Sequence, residues 1–419
     1  MMGQLLRRGT VIEMLALVAV RRFTDSAFPV VLIVALSELR SIPVAAAIVG
    51  VRVTVASVSA PLRARLLDRL GRPRVVPALT VASIGTLIAF VLVAIAAQIP
   101  LAVVLIVGAV NALTAPSVDA VIRATWRDIA DSEDEVKGLH AADSIVEEAS
   151  FIVGPLLAST VILAIGAEPS LAVFLTLTVL GSVLVYAPRA LRNALRQGPA
   201  ATKDTTALDR RHSVGSRMRT ILGPIVEREL FSIIFPIVVM GTALGLFGVI
   251  IPAVSDGLGK VGFAGFFFAL ISVGGLAGGL WYGSRTLRSD LSVRHAILTC
   301  AISVPLLIGP LVGNPWVLGA VLVVAGLSVT PIYINSYLLI DRDITPSAAH
   351  EANSWVSVGN NMGYAGGLFA GGLILDGLGK WWLATSLTAV GFVGVTTSLL
   401  LWRTGPTKNP VEQVVSAEV

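Results

Sequence analysis

Several charged side chains fall inside long apolar runs of this chain. Asp25 lies near the middle of the first run, with Arg21 and Arg22 a turn before it, and Arg52 lies near the middle of the second. Glu147 and Glu148 stand about two turns into the fifth run. A charge at the centre of a bilayer costs about 2.5–3.5 kcal/mol even on lenient insertion scales, so each group needs a partner or a wet cavity. The chemistry open to such carboxylates is proton transfer. Burial raises a carboxylate's pKa and a neighbouring arginine lowers it, so cycling between the two surroundings moves protons. Asp25 and Arg52 are therefore read as an interhelical charge pair or a proton-coupling site, with Arg22 as the alternative partner of Asp25. Glu147 and Glu148 offer proton coupling, or bracing through Arg123 or Arg127. Asp119 and Arg123, four residues apart, pair on one helix surface.

Uncharged polar groups come next. In the second half of the chain Thr242, Asn335, Asn360 and Asn361 are the polar side chains of the apolar runs that count here. With Arg22, the three asparagines are candidates for lining a solute cavity; bonding across helices is the alternative. Glycines form ladders: Gly359, Gly363, Gly367 and Gly371 recur every four residues, as do Gly275, Gly279 and Gly283. Small residues at this spacing let helix backbones approach closely in lipid. They are expected to serve static packing, or to form a seam along which two halves of the molecule rock.

Elements that position these residues follow from hydropathy. Of 419 residues 55% are hydrophobic and 14% charged, against about 25% charged in soluble domains. Runs of about twenty apolar residues, enough to cross ~30 Å of hydrocarbon, place helices near 11–37, 44–62, 75–97, 101–123, 142–166 and 170–188. A second set lies near 230–254, 262–284, 294–312, 316–340, 352–375 and 381–402. The chain is thus expected to be an all-α polytopic membrane protein with twelve transmembrane helices; period-two alternation, the mark of a β-barrel, is absent. The apolar stretch at the start is interrupted by Glu13, Arg21 and Arg22 and reads as a retained first helix rather than a leader. With the N-terminus inside, inner segments hold 25 of the 31 Lys and Arg, and the outer loops hold Arg40, Lys260 and Lys380. That skew puts both termini in the cytoplasm. It also accounts for the net charge of +5 without nucleic acid.

The expected organisation is an N-terminal six-helix bundle over 1–188, a cytoplasmic linker over 189–229, a second bundle over 230–403 and a tail over 404–419. The halves resemble each other: Ala115-Pro116 and Arg127-Asp128-Ile129 answer Thr330-Pro331 and Arg342-Asp343-Ile344 at a constant offset. Such duplication is the architecture of many secondary transporters. His212 reads as a solvated linker residue and Cys300 as a small hydrophobe. Gly257, Gly259 and Gly262 match a G-x-G-x-x-G pattern but join two apolar helices, so no nucleotide role follows. No P-loop, H-E-x-x-H or C-x-x-C occurs. The reading is of a non-enzyme, with no metal or cofactor expected.

Between the second and third runs stands Arg63-Ala64-Arg65-Leu66-Leu67-Asp68-Arg69-Leu70-Gly71-Arg72-Pro73-Arg74. Through Asp68, Arg69, Gly71, Arg72 and Arg74 it resembles the loop signature of major facilitator superfamily transporters; Ala64 and Pro73 depart from it. The resemblance implies two pseudo-symmetric six-helix bundles and a conformational latch, Asp68 meeting a helix N-terminus while the arginines bridge to acidic residues such as Asp128 or Asp143. Gly154-Pro155 resembles the G-P pair of the family's export motif. Leu101–Asn111 lacks the basic residue common in its proton-coupled drug exporters. The resemblance implies alternating-access transport of a small organic solute through a cavity between spans 1, 2, 4, 5 and 7, 8, 10, 11. Efflux of a drug-like compound or metabolite against inward proton flow, by a monomer in the cytoplasmic membrane, is the first expectation. Symport or facilitated uptake of a small nutrient or anion is the alternative, and a non-transporting sensor the rival. The excess of arginine over aspartate in the first two spans favours a neutral or anionic solute.

Overall fold

The computed structural model describes residues 8–96, 98–116, 118, 122, 125, 126, 129, 130, 132–196, 228–259, 261–285, 289–344 and 346–404. Every regular element among them is helical. The first half holds α1 (Gly9–Leu39), α2 (Ile42–Leu70), α3 (Arg72–Ile95), α4 (Leu101–Thr114), α5 (Glu133–Ile165), α6 (Ala167–Leu184) and the short α7 (Arg189–Arg196). The second holds α8 (Arg228–Gly257), α9 (Ala264–Gly283), α10 (Leu291–Ser303), α11 (Pro315–Asp343), α12 (Pro346–Gly377) and α13 (Lys380–Thr404). Short 3-10 segments cover Val261–Phe263 and Val304–Leu311, the latter prolonging α10.

Among the described residues nine helices are long and apolar enough to cross a membrane. Outside that set fall α1, with Arg21, Arg22 and Asp25 along it, α4, with fourteen residues, and α12, rich in Asn, Ser and Gly. Several helices outrun the apolar windows: α2 continues to Leu70, α5 begins at Glu133 and α12 at Pro346. Hydropathy registers where hydrocarbon ends, whereas a helix ends where its caps and turns dictate. Ser41 caps α2 by accepting from the Val44 amide, and Ser132 caps α5 by accepting from that of Glu135. Segment 189–229 was expected to be a polar linker throughout, but it opens with α7. Leu191 of α7 is buried beside Val11, Met14 and Trp126. Residues 197–227, His212 included, lie outside the described residues.

A single residue, Gly71, separates α2 from α3. Its φ of 81° lies in the left-handed half of the map, and its amide closes α2 on the Leu67 carbonyl at 3.0 Å. Only glycine takes that conformation without strain, so the turn between the second and third helices is as short as a turn can be.

Two compact units emerge, one within Met1–Lys203 together with Ser255–Ala269, the other within Asp204–Val254 and Leu270–Val419. In the first, α1 packs on α5 and α6, while α4 packs on α2 and α3. The second repeats this pairing, with α12 on α8 and α11 on α9 and α10. Glycine makes the approach possible. A methyl at Gly363 or Gly367 would meet the Val238 or Thr242 carbonyl, and one at Gly241 or Gly245 the Asn360 or Tyr364 carbonyl. Gly359 likewise faces Ile234. The ladder on α12 thus faces α8 within its own unit, as the static-packing alternative has it. Gly274, Gly278 and Gly326 do the same for α9 and α11. In the first unit Gly154 lies against Ser26 of α1, whose hydroxyl donates to the Ser150 carbonyl at 2.7 Å. Exposed apolar side chains such as Val81, Ile106, Leu280, Leu373 and Phe392 suit a lipid-facing surface.

Ionic contacts tie helices within each unit. Arg22 on α1 reaches α5, donating to the Asp143 backbone carbonyl at 2.6 Å and to its carboxylate at 3.1 Å, with Glu147 at 3.6 Å. Both Arg22 and Asp143 are buried. In the second unit Asp290 accepts from the Ser292 amide at 2.7 Å, capping α10, and from Arg342 at 2.9 Å. Burial raises the Asp290 carboxyl pKa, but the Ser292 amide and Arg342 outweigh it, and the group is held below the usual carboxylate range.

Three outcomes are expected for the purified protein, read as thermal midpoints in detergent. Gly71→Ala costs about 1–3 kcal/mol through forced φ strain, while Gly85→Ala, inside α3 with open space around it, stabilises by about 0.5–1 kcal/mol. Arg22→Gln alone costs about 3–5 kcal/mol by stranding Asp143, and adding Asp143→Asn recovers part of it. Asp290→Ala costs about 1 kcal/mol through the lost cap. Because folding lowers the Asp290 pKa, its stabilisation is complete above the unfolded value, ~3.9, and fades as pH falls below it. The variant's loss therefore shrinks in acid.

Candidate functional site

The first unit forms a half-open cavity of about 350 Å³, at the small end of the ~300–1,000 Å³ typical of small-molecule sites. Its walls come from α1, α2, α3, α6 and the end of α4, all inside one unit. Apolar surface predominates, from Phe28, Leu32, Val49, Ile84 and Leu87 among others. The polar side chains are Arg21, Asp25, Arg52, Thr80, Ser83, Asn111, Thr178 and Ser182.

Asp25 projects into this cavity with 42% of its side chain exposed, and the Arg21 guanidinium lies 3.3 Å away on the same face of α1. The interhelical Asp25–Arg52 pair inferred from sequence is replaced by this i,i+4 pair. Four residues along a helix bring two side chains together without any registration between helices. Arg22, proposed as a cavity residue, is directed instead at Asp143 and Glu147. Helical geometry separates adjacent residues by about 100°, so Arg21 and Arg22 serve different walls of α1.

Arg52 has other company. Its Nη2 donates to the Asn111 Oδ1 at 2.8 Å, and its guanidinium carbon sits 4.7 Å from the centre of the Phe90 ring. Nε is buried without a hydrogen-bond partner. Asn111 is oriented by α3: its Nδ2 donates to the Ser83 carbonyl and to Thr86 Oγ1, both at 3.2 Å. Only the carboxamide oxygen remains to meet Arg52. Gly108, one turn earlier, leaves room for the arginine stem; a methyl there would stand 3.3 Å from Arg52 Cγ and 3.1 Å from the Phe90 ring. The Thr178 hydroxyl, on the opposite wall, is also buried without a partner.

At this cavity α4 stops. The sequence reading carried one helix from 101 to 123, but α4 ends at Thr114 and Ala115 is extended, with φ −54° and ψ 121°. Pro116 explains the break. It cannot donate to the carbonyl four residues back, that of Ala112, and it disfavours helical geometry in Ala115. Arg63 supplies the missing donor, its Nη1 lying 2.9 Å from the Ala112 carbonyl oxygen. Interrupted helices of this kind mark binding sites in transporters.

The other predicted residues are not among the described lining of the cavity. Gly71 forms the α2–α3 turn and Arg74 is exposed on α3, whereas the side chains of Asp68, Arg69, Arg72 and Glu148 lie outside the described part of the structure. Asp119, Arg123, Arg127 and Asp128 are likewise undescribed. Pro155 lies within α5, which runs through it. Asn335 is buried and fully engaged, accepting from the Tyr282 hydroxyl at 2.8 Å and donating to the Leu291 carbonyl at 3.0 Å. Asn360 donates to Asn361 at 3.4 Å. Sequence reasoning passed over Asn111, although it is the one carboxamide in the fourteen apolar residues of α4; that isolation was the available signal.

No curated protein matches the chain at a significant level. Solved structures do. The chain superposes on a bacterial homologue of the iron transporter ferroportin in its inward-facing state with a TM-score of 0.72 at 16% identity, covering 95% of this chain and 99% of that one. For the nucleoside transporter NupG the TM-score is 0.69 at 11% identity, over 94% and 99% of the two chains. The peptide transporter POT in complex with sulfate gives 0.65 at 14% identity, over 96% and 97%. At such identities the likeness shows the fold alone. Residues 14–352 match the Major Facilitator Superfamily, well over half of the sequence, and the chain belongs to that family.

Proposed function

We propose that the protein is a secondary active transporter that moves a small organic solute by alternating access and couples the movement to protons through Asp25. The observation that carries this is the half-open cavity of the first unit, whose lining holds both the Arg21–Asp25 pair and the Arg52–Asn111 pair. A carboxylate that is part exposed and part ion-paired is poised between the two influences that set its proton affinity. The charged groups around it are Arg21 on its own helix, Arg52 on α2, and Asp143 and Glu147 on α5, the last two engaged by Arg22. At the end of α6 the Tyr186 hydroxyl is held by Thr80. The proposed setting is the cytoplasmic membrane with both termini inside, from the skew of basic residues.

Export against proton flow is the first reading, and it rests on the Gly154-Pro155 resemblance. The packing of Gly154 on Ser26 requires glycine there whichever way the solute moves. Symport is the second reading, favoured by the cavity's charge. Protonating Asp25 leaves two lining cations without their anion, so a negatively charged solute binds better with the proton aboard. By linkage, proton and solute then travel together.

Proteoliposomes holding the full chain and an internal pH indicator test this. Solute pulses under an imposed pH gradient are expected to move protons, and the sign of the movement separates antiport from symport. Asp25→Asn is expected to cut gradient-driven flux about tenfold or more while leaving downhill exchange. Full gradient-driven flux in that variant ends the proton-carrier role, and no solute-dependent flux of any kind ends the transport reading.

A further inference from the structure

Building on that transport reading, we infer that the occupant of the first-unit cavity is a compact organic monoanion whose oxyanion head is held by Arg52. The argument is one of charge and shape. Among the described lining residues the cations are Arg21 and Arg52 and the anion is Asp25. Arg21 and Asp25 are matched at 3.3 Å. Arg22, the third arginine of the region, is matched outside the cavity by Asp143 and Glu147. Arg52 is the residual charge: its contacts are a neutral carboxamide and an aromatic face, and its Nε is without a partner.

A guanidinium remains charged at any physiological pH. One carboxamide bond and one ring contact offset only part of the desolvation of its buried atoms. A carboxylate, sulfonate or phosphate-ester oxygen would supply the rest through charge-assisted bonds to a planar fork that already has one edge fixed. Asn111 does not hold the solute itself, because its Nδ2 is committed to α3 and its Oδ1 would repel an anion. It acts as a positioning residue that fixes the guanidinium plane, with Phe90 beneath.

The remaining features narrow the class. Asp25, 42% exposed in the same chamber, repels a second negative charge, which selects a monoanion over a dianion. The volume of about 350 Å³ and the walls of Phe28, Leu32, Val49, Ile84 and Leu87 suit a short apolar body behind the charged head. A neutral solute would leave Arg52 unanswered, and a cation would add to the surplus.

Matched ligand trios test the assignment: benzoate, benzamide and benzylammonium, then butyrate, butyramide and butylammonium, all at one ionic strength. Heat stability of the purified full chain in detergent reports binding. In each trio the carboxylate is expected to stabilise at roughly tenfold lower concentration than the amide, with no stabilisation by the ammonium compound. Arg52→Gln removes the charge and is expected to abolish that preference. Asn111→Asp reaches the same end with Arg52 retained, by placing a carboxylate at its elbow. Amide or ammonium binding as tight as carboxylate, no stabilisation by either trio, or a carboxylate preference that survives either variant overturns the inference. Counterflow in proteoliposomes keeps it separable from the transport reading. A carboxylate that binds yet never exchanges across the bilayer leaves this site standing and ends the carrier role. A transported amide with no carboxylate preference leaves the carrier role standing and ends this inference.

Discussion

An arginine side chain cannot shed its proton to enter an apolar environment, so each one drawn into this molecule has to be answered by geometry. The first unit shows a graded set of answers. Arg22 meets a backbone carbonyl and two carboxylates across α1 and α5. Arg63 replaces the amide that Pro116 lacks and so closes the broken end of α4. Arg40 caps α3, its three nitrogens reaching the carbonyls of Val93, Ala94, Ala96 and Ile99. Arg21 has the adjacent Asp25. Arg52, with a ring and a carboxamide, is the least completely answered of them. Arg22, Arg40 and Arg63 hold helices and helix ends together, while Arg21 and Arg52 line the cavity.

Close packing and cavity formation depend on the same small residues used in opposite ways. Where Gly363 and Gly367 of α12 face α8, the absent side chains are filled by the neighbouring backbone, and the helices lock through carbonyl contacts. At Gly108 the space is taken up by the stem of Arg52 and the edge of Phe90, which lets a long charged side chain fold back into the wall. The first use gives rigid units. The second, together with the break at Ala115-Pro116, gives a chamber inside one of them.

Much of the fold was legible because hydrocarbon thickness imposes a length on every apolar run and the basic residues punctuate them. The helices α1 to α6 and α8 to α13 fall where those runs lie. Their ends did not, since α2 and α5 continue under Ser41 and Ser132 caps and through charged turns to which hydropathy is blind. The charged residues of the site were legible from their cost alone; their pairing was not. Choosing between Arg21, Arg22 and Arg52 as the partner of Asp25 needs side-chain directions, and a hundred degrees of helix rotation decided it. Asn111 escaped notice because one carboxamide in an apolar run looks inert until the arginine opposite it is placed. The loop motif around Asp68 was the clearest sequence signal of the family, yet none of its described side chains lines the cavity.

The two units share a pairing scheme but differ in the polarity they carry, and that difference bears on selectivity. In the second unit several buried polar groups bond to one another or to nearby backbone, although His295 Nδ1, Asn353 Oδ1 and Asn360 Oδ1 are buried without a hydrogen-bond partner. Asn335 is satisfied by Tyr282 and Leu291, and His295 meets the Ile233 carbonyl. Asp290 and Arg342 cap and clasp helix ends. Such groups fix helix positions and leave little field for a passing solute. In the first unit the ions line a half-open cavity with mostly apolar walls, which screen charge less than bulk water does. On the reading proposed above, discrimination by charge belongs to the first of the two frameworks. Placing it there leaves the second free to change its own contacts without altering which solute is recognised.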